Sequence, residues 1–359
     1  MRSFFNYDLD IPRFFGISDI PPDIEEIPTA MQRDPKEGPA MSDPPKGNVA
    51  RVPADLVNPH RATASAIPRA LLPPSASIAA TTGLDDGLPD GWERHDPSNV
   101  LKHKGRYLLW VTEHPTGIGW HYARIVLLSS LDGFEWQFEQ IALEPGKSSD
   151  WDDQAVLTPY IVPNEGRFYM FYSGVDKSFT HHNQTRRGIG FVAADSPFGP
   201  WRKEIDKQIL MHGDNGAWDE LNCDDANIIR RDGKWWFYYK GRIIDRESGQ
   251  TFIGAATADQ LTGPYTKHPA NPLFKGHALT VTKFHDGVIA LPGGSNQRVL
   301  WSTDGVRFDE AGDLKHKSTG VYNPDDFDDD ADDVKPIGWI IDVLPQEPRR
   351  LYRLDCQLG

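Results

Sequence analysis

Acidic and histidine side chains recur at one kind of place in this chain of 359 residues. Asp224 and Asp225 stand side by side ahead of the apolar run Ala226 to Ile229. That run meets the tight turn Arg231-Asp232-Gly233-Lys234 and returns as the aromatic run Trp235 to Lys240. Asp96 stands before Pro97 ahead of a similar pair of runs, Asp152 and Asp153 follow Trp151 ahead of another, and His277 follows Gly276 ahead of a fourth. Carboxylates from separate segments that meet in one pocket repel and push each other's pKa values apart. A separated pair suits general acid–base chemistry, and glycosidic cleavage asks for one group as base or nucleophile and another as acid. Each residue also has a plain reading. Aspartate before proline caps turns, the acids after Trp151 serve as turn residues, and a histidine behind glycine packs as an ordinary ring.

The elements that must position these groups are hairpins. Asp-Gly between two β-rich runs is a strong hairpin signal. The unit repeats with turn glycines at Gly105, Gly166, Gly233 and Gly287, 61, 67 and 54 residues apart. A second repeat interleaves with it: Ser130-Leu131-Asp132-Gly133, Asp195-Ser196-Pro197, Asp259-Gln260-Leu261 and Ser302-Thr303-Asp304-Gly305. Two hairpins per repeat make a four-stranded sheet, and radial repetition of such sheets makes a β-propeller. The spacing predicts an all-β chain with five blades, over residues 92–143, 151–201, 218–265, 276–308 and 336–358. Strands from before Trp92 would complete the last blade and close the ring. Inner strands begin at the central funnel, so the acids and His277 converge there.

The propeller is expected over 85–359, preceded by an extended Pro-rich arm over 1–84 with at most a short helix within 58–72. Phe4, Phe5, Tyr7, Phe14 and Phe15 favour an arm that wraps on another subunit, hence a homodimer. Between blades four and five lies an acidic stretch around Asp325 to Asp333. It reads as a solvated loop, or as a structural divalent-cation site, although it lacks EF-hand spacing. No cofactor and no catalytic metal are expected.

A net charge of −14 argues against nucleic acid and anionic membrane as partners. Cys223 and Cys356 give neither a disulfide framework nor zinc spacing, and their surroundings read as buried free thiols. No apolar run is long enough to span a bilayer. The first residues lack a signal-peptide core, so a cytoplasmic location is the expectation.

Several stretches in order resemble glycoside hydrolase family 117, the anhydrogalactosidases that act on agar oligosaccharides. They are Arg94-His95-Asp96-Pro97-Ser98, Trp151-Asp152 with Thr158-Pro159, Ala193-Ala194-Asp195-Ser196-Pro197, Asp224-Asp225-Ala226 with Tyr238-Tyr239-Lys240-Gly241-Arg242, Gly276-His277, and Leu351-Tyr352-Arg353-Leu354-Asp355-Cys356. The resemblance implies an exo-acting, inverting α-glycosidase with Asp96 as base, Asp225 as pKa-setting or transition-state carboxylate, and His277 as acid. Asp153, Thr158, Trp120, Asp224 and Lys240 are the candidates for substrate contact. Dimers through exchanged N-terminal segments are implied too. One position departs: the family reads Gly-His-Glu where this chain reads Gly276-His277-Ala278, which points to a subgroup with a different terminal sugar. The competing enzyme reading is an arabinofuranosidase or xylosidase on the same fold, which needs a glutamate acid. A non-catalytic sugar-binding propeller would keep aromatic platforms such as Trp120 and Trp218 without the acids.

Overall fold

The computed structural model describes residues 75–117, 121–178, 185–244, 251–293, 298–313, 319–328, 338–343 and 349–357. Most of the expected arm (1–74), Trp120 and residues 329–333 of the acidic stretch lie outside the described residues.

Strands come in blade-sized sets. β1 (Ser75–Ala79) precedes β2 (Trp92–Pro97), β3 (Leu101–His103), β4 (Arg106–Pro115), β5 (Arg124–Ser130) and β6 (Trp136–Leu143); β2 to β6 form blade one. Blade two holds β7 (Ala155–Asn164), β8 (Arg167–Val175) and β9 (Gly188–Ala194), with bridges from Ile189 to Leu210 and from Ala193 to Arg202 at its outer edge. Blade three holds β10 (Asn222–Arg231), β11 (Lys234–Arg242), β12 (Thr251–Ala258), β13 (Thr266–Lys267) and β14 (Phe274–Lys275). Blade four holds β15 (Leu279–Phe284), β16 (Gly287–Pro292), β17 (Arg298–Ser302) and β18 (Asp309–Asp313). Blade five holds β19 (Gly320–Val321), β20 (Trp339–Val343) and β21 (Leu351–Gln357).

The ring closes as the repeat leads one to expect, with β1 pairing antiparallel to β21. The last blade thus draws a strand from within residues 1–84, and its inner strand is β19, upstream of the acidic stretch rather than after Pro336. Two residues carry no periodicity, so the sequence hides that strand.

Each gap between blades is filled by its own apolar layer, as closure demands. Leu108, Trp110, Met170 and Tyr172 fill the gap between blades one and two, and Phe171 and Phe237 the next. Leu109, Trp136, Trp339 and Ile341 join blade five back to blade one. Inner and middle strands are buried on both faces, which is why they read as near-continuous apolar runs such as Leu108 to Val111. Cys223 and Cys356 are buried free thiols, as the sequence suggests.

A second repeated device locks blades two and three. Trp151 lies under Gly174 and Gly190, where an added Cβ would come within 2.0 and 2.4 Å of its ring. It stacks on Tyr172 at 5.3 Å. Next to it, Asp152 accepts from Tyr172 Oη at 2.7 Å and Lys203 Nζ at 2.6 Å. Trp218 repeats this under Gly241 and Gly254, and Asp219 accepts from Tyr239 Oη at 3.0 Å and Lys267 Nζ at 2.6 Å. The glycines have no side chain because the indoles take that space. Trp218 is therefore a packing residue and not a sugar platform.

Candidate active site

Three inner strands break register at the same place: between His95 and Pro97, between Leu157 and Tyr160, and between Asp224 and Asn227. At each break one residue is left-handed, Asp96 (φ 49°), Thr158 (51°) and Asp225 (54°). Ala278 (49°) repeats the conformation just before β15. A non-glycine residue in this region costs about 1–2 kcal/mol, and β-bulges of this sort re-aim a side chain. These four residues line one pocket at the funnel, with Pro97 and Thr319 among their neighbours.

Asparagines brace the breaks. Asn99 donates Nδ2 to Ile161 O and accepts from Ile161 N, both at 2.8 Å, tying blade one to blade two. Asn227 does the same for blades three and four, donating to Leu279 O at 2.9 Å and accepting from Val281 N at 3.1 Å. Each amide thereby satisfies backbone groups on the free edge of the neighbouring inner strand. Beneath the bulges, the helical turn Pro324–Phe327 lies against the inner strands. Phe327 meets the Tyr160 ring at 6.4 Å, and the Asp326 carboxyl accepts from Thr282 Oγ1 at 2.8 Å and Lys283 N at 2.7 Å. Asp326 is thus used by the fold. Among the described residues no group of three or more His, Cys, Asp or Glu could hold a metal ion.

One cation serves two carboxylates. Lys240 of β11 faces Asp224 across the ladder; its Nζ lies 2.7 Å from Asp225 Oδ2 and 3.6 Å from Asp224 Oδ2. Arg187 reaches Asp224 Oδ2 at 3.2 Å. Burial would raise Asp224, but Lys240 and Arg187 hold it below the ordinary carboxylate value. Asp225 shares only Lys240, and burial together with the charges of Asp224 and Asp96 pushes it up to about 6. Burial works against ionised Asp96 as well. There the contact with His95 outweighs it, helped by Lys240 and Arg349, and holds the carboxyl well below the usual range. Two carboxyls in equivalent positions therefore have opposite shifts.

The structure places the other sequence candidates as follows. Thr158 is on the pocket wall, its Oγ1 2.7 Å from Ser173 Oγ. Asp224 is fully buried behind Asp225 as its ion-pair companion. Asp153 is a loop tie, with its oxygens taken by Ser149 N and Lys177 N, both at 2.8 Å. Asp152 is in the tryptophan lock and does not join the funnel acids. His277 precedes Ala278 as Asp224 precedes Asp225, with Nδ1 3.1 Å from Thr251 Oγ1. Burial, then Lys240 and Arg242, push it down to about 3, so it is neutral near pH 7.

Sequence reasoning assigned no role to His95, Arg187 or Thr319. A signal existed for Arg187: an arginine at the head of the apolar run Gly188–Ala194 must be paired when that strand is buried.

Residues 91–221 match the model of glycosyl hydrolases family 43. A probable sucrose-6-phosphate hydrolase of Vibrio cholerae is 27% identical over 146 residues, 39% of this chain and 24% of that protein. The matched stretch thus spans about a quarter of that relative's length. Among solved structures, a family 117 glycoside hydrolase produced by the marine bacterium Zobellia galactanivorans superposes with a TM-score of 0.72 at 25% identity, covering 80% of this chain and 92% of that one. Fructan 1-exohydrolase IIa from Cichorium intybus shares the fold, with a TM-score of 0.54 at 12% identity over 74% of this chain and 56% of that one. The chain is thus a five-bladed propeller similar to glycoside hydrolases, a family 117 structure among them, with acids gathered at its funnel.

Proposed function

We propose that this chain hydrolyses the terminal glycosidic bond of an oligosaccharide with inversion, releasing a terminal sugar of the anhydrogalactose type. The observation that carries the reading is the separated pair, Asp96 held ionised and Asp225 pushed to about 6, on equivalent bulges of one pocket. Ionised Asp96 takes a proton from water as the water oxygen bonds to the anomeric carbon. Protonated Asp225 gives its proton to the departing glycosidic oxygen, and exchange with solvent resets both. The helical turn beneath the bulges supports a blind pocket that accepts a chain end. The sugar class rests on the resemblance to family 117, and Ala278 in place of glutamate points to a variant of it.

A second reading keeps Asp225 ionised as a tuning group and makes His277 the donor, as the resemblance implies. Its place beside the left-handed, pocket-lining Ala278 at the start of blade four favours it. In that case bound substrate must raise the imidazole from about 3 into the working range. Removing a proton donor spares substrates with good leaving groups, so comparing Asp225→Asn and His277→Ala on natural and aryl glycosides separates the readings.

The test of the function is incubation with agar, carrageenan and porphyran oligosaccharides and with aryl arabinofuranosides and xylosides, following the first-formed anomer by NMR. Release of one terminal sugar with inverted configuration from a galactan oligosaccharide is expected. Retention, or turnover of the pentosides alone, would overturn the reading.

A further inference from the structure

His95 immediately precedes Asp96 on β2, and its side chain is 8% exposed. Its Nδ1 stands 2.5 Å from Asp96 Oδ2, a short, charge-assisted contact. The ring is fixed from behind by His114 of β4, edge-on at 4.5 Å between centroids. His114 has its Nδ1 2.8 Å from Pro115 O, so this nitrogen donates, and its Nε2 is 3.5 Å from Glu93 Oε1. Glu93 Oε2 accepts from Arg349 N at 3.2 Å, which brings in the segment before β21. Glu93, His114 and His95 thus form a buried line that ends on the carboxylate.

The geometry points to His95 as the positioning residue of the site: it holds the Asp96 carboxylate ionised and aimed into the pocket, while the edge-on His114 ring packs against the imidazole from behind. This deepens the proposed function and rests on Asp96 being the base. The left-handed backbone delivers Asp96 to the funnel with 32% of its side chain exposed, and backbone alone does not fix χ2 of an aspartate. With Oδ2 taken by His95, Oδ1 is the oxygen that accepts a water proton. The other titratable or charged groups acting on Asp96 are Lys240 and Arg349, which favour ionisation, Asp224 and Asp225, which oppose it, and His277, neutral near pH 7. His95 touches this carboxylate directly. His114 is held down to about 4 by burial and by the charge of His95, so it is neutral near pH 7.

The test uses His95→Gln and His95→Phe in the full chain. Glutamine keeps an N–H donor without charge, and phenylalanine keeps ring packing without a donor. With a turned-over glycoside, His95→Phe should lose on the order of 10- to 100-fold in kcat with little change in KM, because the base is misaimed. His95→Gln should recover much of that loss at pH 7. In both variants the acid limb of the pH–rate profile should move up by about 1–3 units, the size expected for removing an adjacent opposite charge. A purely structural role would lower activity without moving the limb. The same shift is read without substrate by 13C titration of labelled aspartate carboxyls, with Asp96 assigned by its loss in Asp96→Asn. An Asp96 titration unchanged in both variants overturns the proposal. A shifted titration in a protein that hydrolyses nothing sustains the positioning contact and sinks the hydrolase reading instead.

Discussion

Asp152 and Asp219 occupy one repeated place in blades two and three, and Asp96 and Asp225 occupy another in blades one and three, yet their surroundings differ in kind. Each member of the first pair is saturated by a tyrosine hydroxyl and a lysine. Asp225 instead shares its lysine with a second carboxylate, Asp96 keeps a third of its side chain in water, and both are left-handed. A fold that only needed buried ion pairs would repeat the saturated kind. The strained, under-compensated kind is retained where side chains must face a ligand. Residue type alone does not distinguish the two; backbone conformation and partner count do.

Substitutions should break the comparison along the same line. Asp96→Asn should lower turnover by about 10²- to 10⁴-fold while the melting temperature stays near that of the parent, measured on any confirmed substrate. Asp219→Ala should do the reverse, costing about 3 kcal/mol in urea unfolding with activity per folded molecule retained. That figure is the low end for a broken buried pair, because Lys267 reaches water. The two carboxyls should also give opposite pH dependences of stability. Asp225, raised from 3.8 to about 6, binds its proton more tightly in the folded state, so stability falls as pH rises through that window, by on the order of 3 kcal/mol. Asp96, depressed on folding, stabilises above its unfolded value, and this is lost as pH falls through its folded value. Asp225→Asn should flatten the first slope and leave the second. Asn227→Ala, which strands Leu279 O and Val281 N at the mouth of blade four, should cost about 1–3 kcal/mol.

Much of this was legible in the sequence because hairpin turns and aromatic strands are local signals. Gly105, Gly166 and Gly233 each directly follow a left-handed residue such as Asp232, and Gly287 lies two residues after left-handed His285. The convergence of Asp96 and Asp225 followed from blade geometry, whereas Thr158 came only from the family resemblance. What was not legible depends on contacts between distant segments. Asp153 looks like Asp225 until its loop partners Ser149 and Lys177 are seen, and Trp218 looks like a platform until Gly241 and Gly254 close over it. The low pKa of His277 comes from burial and from Lys240 and Arg242, residues of another blade that no spacing rule connects to it.

The most direct test of acid and base roles for Asp225 and Asp96 is the pH dependence of kcat/KM for wild type and Asp225→Asn on one confirmed substrate. Wild type should lose rate above an alkaline limb near 6, where Asp225 gives up its proton, and that limb should vanish from the much slower variant. An alkaline limb that persists unchanged in Asp225→Asn and disappears in His277→Ala would contradict this and assign the proton to His277.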